Sequence, residues 1–92
     1  MLTAKIIQTW LQVRGTGIID EHAISSLARN DADVAEAWQK SLLIDDLIGS
    51  AKLVKDGLAS QSFAAELRNR LARETDGPDA VAAIWNAPPP IT

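Results

Sequence analysis

Apolar residues recur along this chain at helical spacing. Ile6, Ile7, Trp10, Leu11 and Val13 share one face of a helix predicted from Thr3, its cap, to about Arg14. Gly15-Thr16-Gly17 closes it, because glycine adopts the left-handed conformation that ends helices. Ile18 and Ile19 lead to Asp20, an N-cap followed by an acidic first turn at Glu21. A second helix, over 21–29, buries Ala23, Ile24 and Leu27. Asn30-Asp31-Ala32-Asp33 is a turn whose side chains can cap a third helix, over 32–50. Within that helix, Val34–Ile48 carries more apolar surface than one small core can use. Val34, Ala37, Trp38, Ser41, Leu42, Ile44 and Ile48 form one wide face at about 100° per residue, and Leu43 and Leu47 point the other way. A helix that is apolar on both sides lies in the middle of an assembly, and part of that assembly is expected to be a partner.

The second half is more broken. Ser50–Ser62 has no clean period, with weak points at Gly49 and Gly57, and reads as a loop. A fourth helix, over 62–74, is capped by Ser60 or Ser62 and carries a narrow stripe of Phe63, Leu67 and Leu71. Thr75-Asp76-Gly77-Pro78 breaks it, and Pro78 suits the first position of a short segment with Val81, Ile84 and Trp85. Pro88-Pro89-Pro90 ends regular structure. The expected class is all-α: a small three-helix bundle, a loop, and a detached fourth amphipathic helix in a domain over 1–74. Residues 75–92 form a short helical segment and a proline-rich tail.

Composition narrows the function more than the fold. A chain of 92 residues is one domain and buries only about 60% of its unfolded surface, so its core is small. Hydrophobic residues at 47% and charged residues at 23% describe a folded protein. The net charge of −3, with no basic stripe, opposes direct nucleic-acid binding and favours a basic protein as partner. Without cysteine there is no disulfide, thiol nucleophile or cysteine-based zinc site, which fits a reducing cytoplasm. Met1–Val13 alternates apolar and polar residues, unlike a signal peptide, and no apolar run approaches the ~20 residues of a membrane span.

Candidate chemistry is sparse. His22 is the single histidine and has no ligand or nucleophile at useful spacing, so no catalytic residue, metal site or cofactor is expected and the chain reads as a non-enzyme. Gly15-Thr16-Gly17 lacks the lysine and hydroxyl signature of a phosphate loop. Arg68, Arg70 and Arg73 are flanked by Glu66 and Glu74 and read as a solvated face. Trp10 and Trp38 suit a core, whereas Trp85 stands in a segment too short to bury it and is expected to be mobile or to contact another chain. Asp45 and Asp46 diverge by about 100° and cannot act as an acid–base pair. Asp46 is solvated or pairs with a base. Asp45 projects into the broad apolar face, as an exposed residue at the core's edge or as a charge that meets a basic residue of a partner.

The order Leu27-Ala28-Arg29-Asn30, Trp38, then Leu43-Ile44 with Asp46 and Ile48 resembles the N-terminal cytoplasmic domain of RseA-type anti-sigma factors. That family reads Leu-Ala-x-Asn, a tryptophan, an aromatic three residues later, then Leu-Ile-x-Asp. The Asp20-to-Asn30 spacing is similar to its second helix, and the Phe63–Leu67–Leu71 stripe to its fourth, so the resemblance covers about 4–74. Ser41 replaces the second aromatic, Gly15-Thr16-Gly17 stands where the family has Asp-Gly-Glu, one residue is inserted between Asn30 and Trp38, and the loop before the fourth helix is long. With no cysteine the chain is outside the zinc-binding branch. Trp10-Leu11 is also similar to the start of the cytoplasmic part of FecR-type transducers.

The resemblance implies an inhibitor that wedges between the two polymerase- and DNA-binding regions of an extracytoplasmic-function sigma factor and blocks transcription initiation. The residues expected to meet the partner are Leu43, Asp45, Leu47, Ile48, Phe63, Leu67, Arg70 and Leu71. A cytoplasmic location follows, and the proline run leaves room for a membrane tether beyond residue 92. The alternative is a small helical interaction module, an antitoxin or adaptor, that acts through self-association or another protein. A helix-turn-helix over Ile19–Trp38 is opposed by Asp20, Glu21, Asp31, Asp33 and Glu36.

Overall fold

Short polar signals start most of the helices. The computed structural model describes residues 1–16 and 20–88. Thr3 caps α1 (Ala4–Gly15) by accepting from the Ile6 amide, and Asp20 caps α2 (Glu21–Asn30) by accepting from the His22 amide. Asp31 accepts from the Asp33 and Val34 amides at the head of α3 (Ala32–Gln39). Ser60 does the same for α5 (Gln61–Glu74) through the Phe63 amide, and Pro78 opens α6 (Pro78–Trp85). The expected turn residue Gly17, the lead residues Ile18 and Ile19, and the tail from Pro89 onward lie outside the described residues.

Two expectations about the middle of the chain are corrected. The helix read over 32–50 is two helices, α3 and α4 (Ser41–Lys55), broken at Lys40. The Ser41 hydroxyl donates to the Trp38 carbonyl at 2.7 Å, an i−3 bond that competes with the regular ladder. The segment read as a loop over 50–62 is largely helix: α4 continues to Lys55, and only five residues, Asp56–Ser60, connect it to α5. Gly57 makes that short turn at a φ of 71°, where a side chain would be strained.

Packing also differs from a bundle with a detached arm. α1 packs on α3 and α6, α2 on α3, and α4 on both α5 and α6. The short segment after Pro78, α6, is therefore central. Ala80 and Ile84 of α6 are fully buried, and α6 lies between α1 and α4. It runs beside α1 in the same direction, clipped at both ends. At one end Leu2 pairs with the α5–α6 connection, donating to the Glu74 carbonyl and accepting from the Asp76 amide, each at 2.7 Å. At the other, Arg14 Nη2 donates to the Pro88 carbonyl at 2.7 Å. The fourth expected helix, α5, is not detached, since Leu67 and Leu71 are buried.

The core collects Ile6, Ile7, Trp10 and Val13 from α1 and Ile44, Leu47, Ile48 and Ala51 from α4, with contributions from every other helix. The slab is only 16 Å in its thinnest direction, about two helix layers, so each helix keeps a face in solvent. In α4 that face carries Leu42, which is 85% exposed despite its expected place beside Ile44 and Ile48. Leu47, expected on the opposite side, is in the core. Accordingly, Leu47→Ala should cost about 3 kcal/mol in urea unfolding, as for other leucine deletions in cores. Leu42→Ala should change stability by less than about 0.5 kcal/mol. Equal losses would contradict this register of α4.

Candidate functional site

The eight residues expected to meet a partner divide into three environments. Leu47 and Ile48 are fully buried in the chain's own core, and Leu67 and Leu71 are buried at the α4–α5 contact. These four do not present a free surface, because the short turn folds α5 back onto α4. Leu43 is half-buried at the edge of the same core. Phe63 is exposed at the start of α5, and Arg70 lies half-buried further along it. Phe63, Leu67 and Arg70, with Ser50 and Glu66, line a cavity of about 40 Å³ between the two helices.

Asp45 has its basic partner in the same chain. Its Oδ1 accepts from Arg14 Nη1 at 2.9 Å and from the Trp10 indole Nε1 at 3.0 Å. The Arg14 side chain is 11% exposed and that of Asp45 28%, so the pair is well shielded and its hydrogen bonds are charge-assisted. The carboxylate stands at the edge of an apolar face because α1 brings an indole donor and a guanidinium to that edge. Arg14 then passes the connection on to Pro88. The Arg14 and Asp45 side chains come from positions 31 residues apart, and no local spacing announces such a pair.

Asp46 pairs with Arg70 at 2.7 Å across the α4–α5 contact. Its side chain is 61% exposed, so this bridge contributes little by itself. Trp85 is partly exposed and is contacted by Lys55 of α4. Lys55 Nζ donates to the Trp85 carbonyl at 2.6 Å and stands 5.7 Å from the ring centroid, closing the end of α6 with a cation–π contact.

Other features carry less chemistry. His22 is exposed on α2, and among the described residues no group of three or more His, Asp or Glu side chains is placed to hold a metal ion. A shallow groove of about 470 Å³ runs between α1 and α6, lined by Ala4, Gln8, Leu11, Asp79, Ala82, Ala83 and Asn86. No described helix is long and apolar enough to cross a membrane. Sequence reading missed the outward leucines Leu42, Leu53 and Leu58, all exposed. The regular spacing of Leu42 and Leu53 around Gly49 was the available signal. Comparison with protein-family models, with curated proteins and with solved structures finds no match to this chain.

The Asp45 contacts set a clear expectation. Asp45→Ala leaves a shielded guanidinium and an indole N–H without their acceptor and should cost about 2 kcal/mol. Asp46→Ala should cost less than about 0.5 kcal/mol. Thermal or urea unfolding of the two variants checks the difference, and similar losses would show that the Trp10–Asp45–Arg14 contact has no special weight.

Proposed function

We propose that this chain is a helical protein-binding module that sequesters an extracytoplasmic-function sigma factor and so inhibits transcription initiation. The observation that carries the reading is the seating of α5. This amphipathic helix packs principally on α4, through Leu67, Leu71 and the exposed Asp46–Arg70 pair, after a five-residue turn. A helix held on α4 by two leucines and one weak ion pair, and anchored at its end by the Leu2–Glu74 bond, can swing about that anchor and exchange its own α4 for a helix of another protein. Such an exchange would present Leu43, Leu47, Leu67 and Leu71 together, with Phe63 already exposed at the leading end. The Leu27-Ala28-Arg29-Asn30, Trp38 and Leu43-Ile44 order supports a sigma factor as that protein, and the net charge of −3 suits a basic helical partner. The mechanism is occlusion: the sigma surfaces that engage RNA polymerase are covered, and no covalent chemistry is involved.

The test is binding of the purified chain to each extracytoplasmic-function sigma factor of its own genome, read by titration calorimetry, with inhibition of transcription in vitro. One such factor is expected to bind. Phe63→Asp should weaken that complex at least about tenfold, the loss typical of an interface aromatic, and leave the helical circular dichroism unchanged. Absence of binding to all of them would refute the reading.

A further inference from the structure

The outward face of α4 carries a seam whose two end leucines the rest of the chain leaves exposed. Leu42, Asp46, Gly49 and Leu53 are four, three and four residues apart, the spacing of a and d positions in a coiled-coil heptad. They fall within about 60° of one another around the helix, on the side away from Ile44, Leu47 and Ala51. Leu42 and Leu53 are exposed at the two ends, about 16 Å apart at 1.5 Å per residue. Gly49 forms a low point between them. It lies inside a regular helix, where glycine is less favourable than alanine, and a Cβ added there would meet nothing within 4 Å. Packing inside one copy therefore gives no reason for this glycine.

A seam with a leucine at each end and a low point near its middle complements itself when turned end for end. We infer that two copies of this chain pair through α4, antiparallel, across a two-fold axis that crosses the helix between the levels of Leu47 and Ile48. In that register Leu42 of each copy packs on its partner's Leu53. Asp46 lies over the partner's Gly49, whose missing side chain leaves room for the Asp46–Arg70 pair. The flanking charges agree. Asp45 and Lys52 stand seven residues apart on one flank of the seam, so reversal sets each Asp45 beside the partner's Lys52. Parallel pairing would set Asp45 beside Ser50 instead. Trp10 and Arg14 both bond to Oδ1 of Asp45. The Asp45 side chain remains 28% exposed; Lys52 is 48% exposed and pairs with Asp56 at 2.8 Å in its own helix, a solvent-exposed i,i+4 bridge weak enough to exchange for the partner's Asp45. The pairing goes beyond the sigma-factor reading and uses the leucines at the two ends of the seam, while Asp46 between them stays paired with Arg70 of α5.

Sedimentation velocity of the purified chain over a range of micromolar concentrations tests this. The 9.9 kDa chain is expected to dimerise. Leu42→Asp should raise the dissociation constant at least about tenfold with unchanged circular dichroism, because the two-fold counts each lost contact twice. Gly49→Leu, which favours the helix but fills the low point, should do the same. Orientation is read by mixing tagged Leu42→Cys chains with untagged Leu53→Cys chains, since the chain has no cysteine of its own. The mixed disulfide should form in preference to either homodisulfide. A chain that stays monomeric at every concentration overturns the inference and leaves the seam to a different protein. A dimer that cross-links Leu42→Cys to itself overturns the antiparallel register.

Discussion

The carboxylate of Asp45 ties together parts of the chain that lie far apart in sequence. It takes an indole N–H and a guanidinium from α1, and the same guanidinium reaches the carbonyl of Pro88 past the end of α6. Three segments far apart in sequence are thereby set at one end of the molecule. A charge at the edge of an apolar face is costly without partners and useful with them, because hydrogen bonds to charged groups strengthen as water is excluded. The contact specifies how α1 lies against α4, which apolar packing alone would leave loosely defined.

The position of α6 follows from that frame. Its small face, Ala80 and Ile84, fits between α1 and α4, and the Leu2 pairing at one end and the Arg14 bond at the other hold it beside α1. It is one of three helices that pack on α4, with α3 and α5. With it the core residues of α4 are enclosed, although the whole slab is about two helix layers thick. Thinness has a cost: each helix keeps an outer face, and in α4 that face is partly apolar.

The two proposals draw on two different apolar faces of α4. One is hidden beneath α5, which packs mainly on this single neighbour through a short contact. The other is the outward leucine seam around Gly49. Both follow from asking one helix of a 92-residue chain to contact α3, α5 and α6 while one flank stays in water. The sigma-factor reading draws on the first and self-pairing on the second, so the two can operate in one protein.

Local chemistry was legible from the chain alone. Thr3 and Asp20 cap where the sequence places them, Asp31 caps from within the expected Asn30–Asp33 turn, Ser60 is the one of the two candidate serines that caps, and Pro78 opens a helix, because capping depends on neighbours within three or four residues. The all-helical class was legible for the same reason. The break at Lys40 was not, since a continuous wheel over Val34–Ile48 hides a serine bonding backwards into the turn before it. That oversight placed Leu42 inside and Leu47 outside. Nor could local pattern show that residues 78–85 belong to the core, or that Asp45 meets Arg14, because those choices depend on contacts between distant segments. The sequence by itself determined where helices begin and that α4 is too apolar for one face. Tertiary structure decided which side of α4 is inside, because only the packed neighbours α3, α5 and α6 define what inside means.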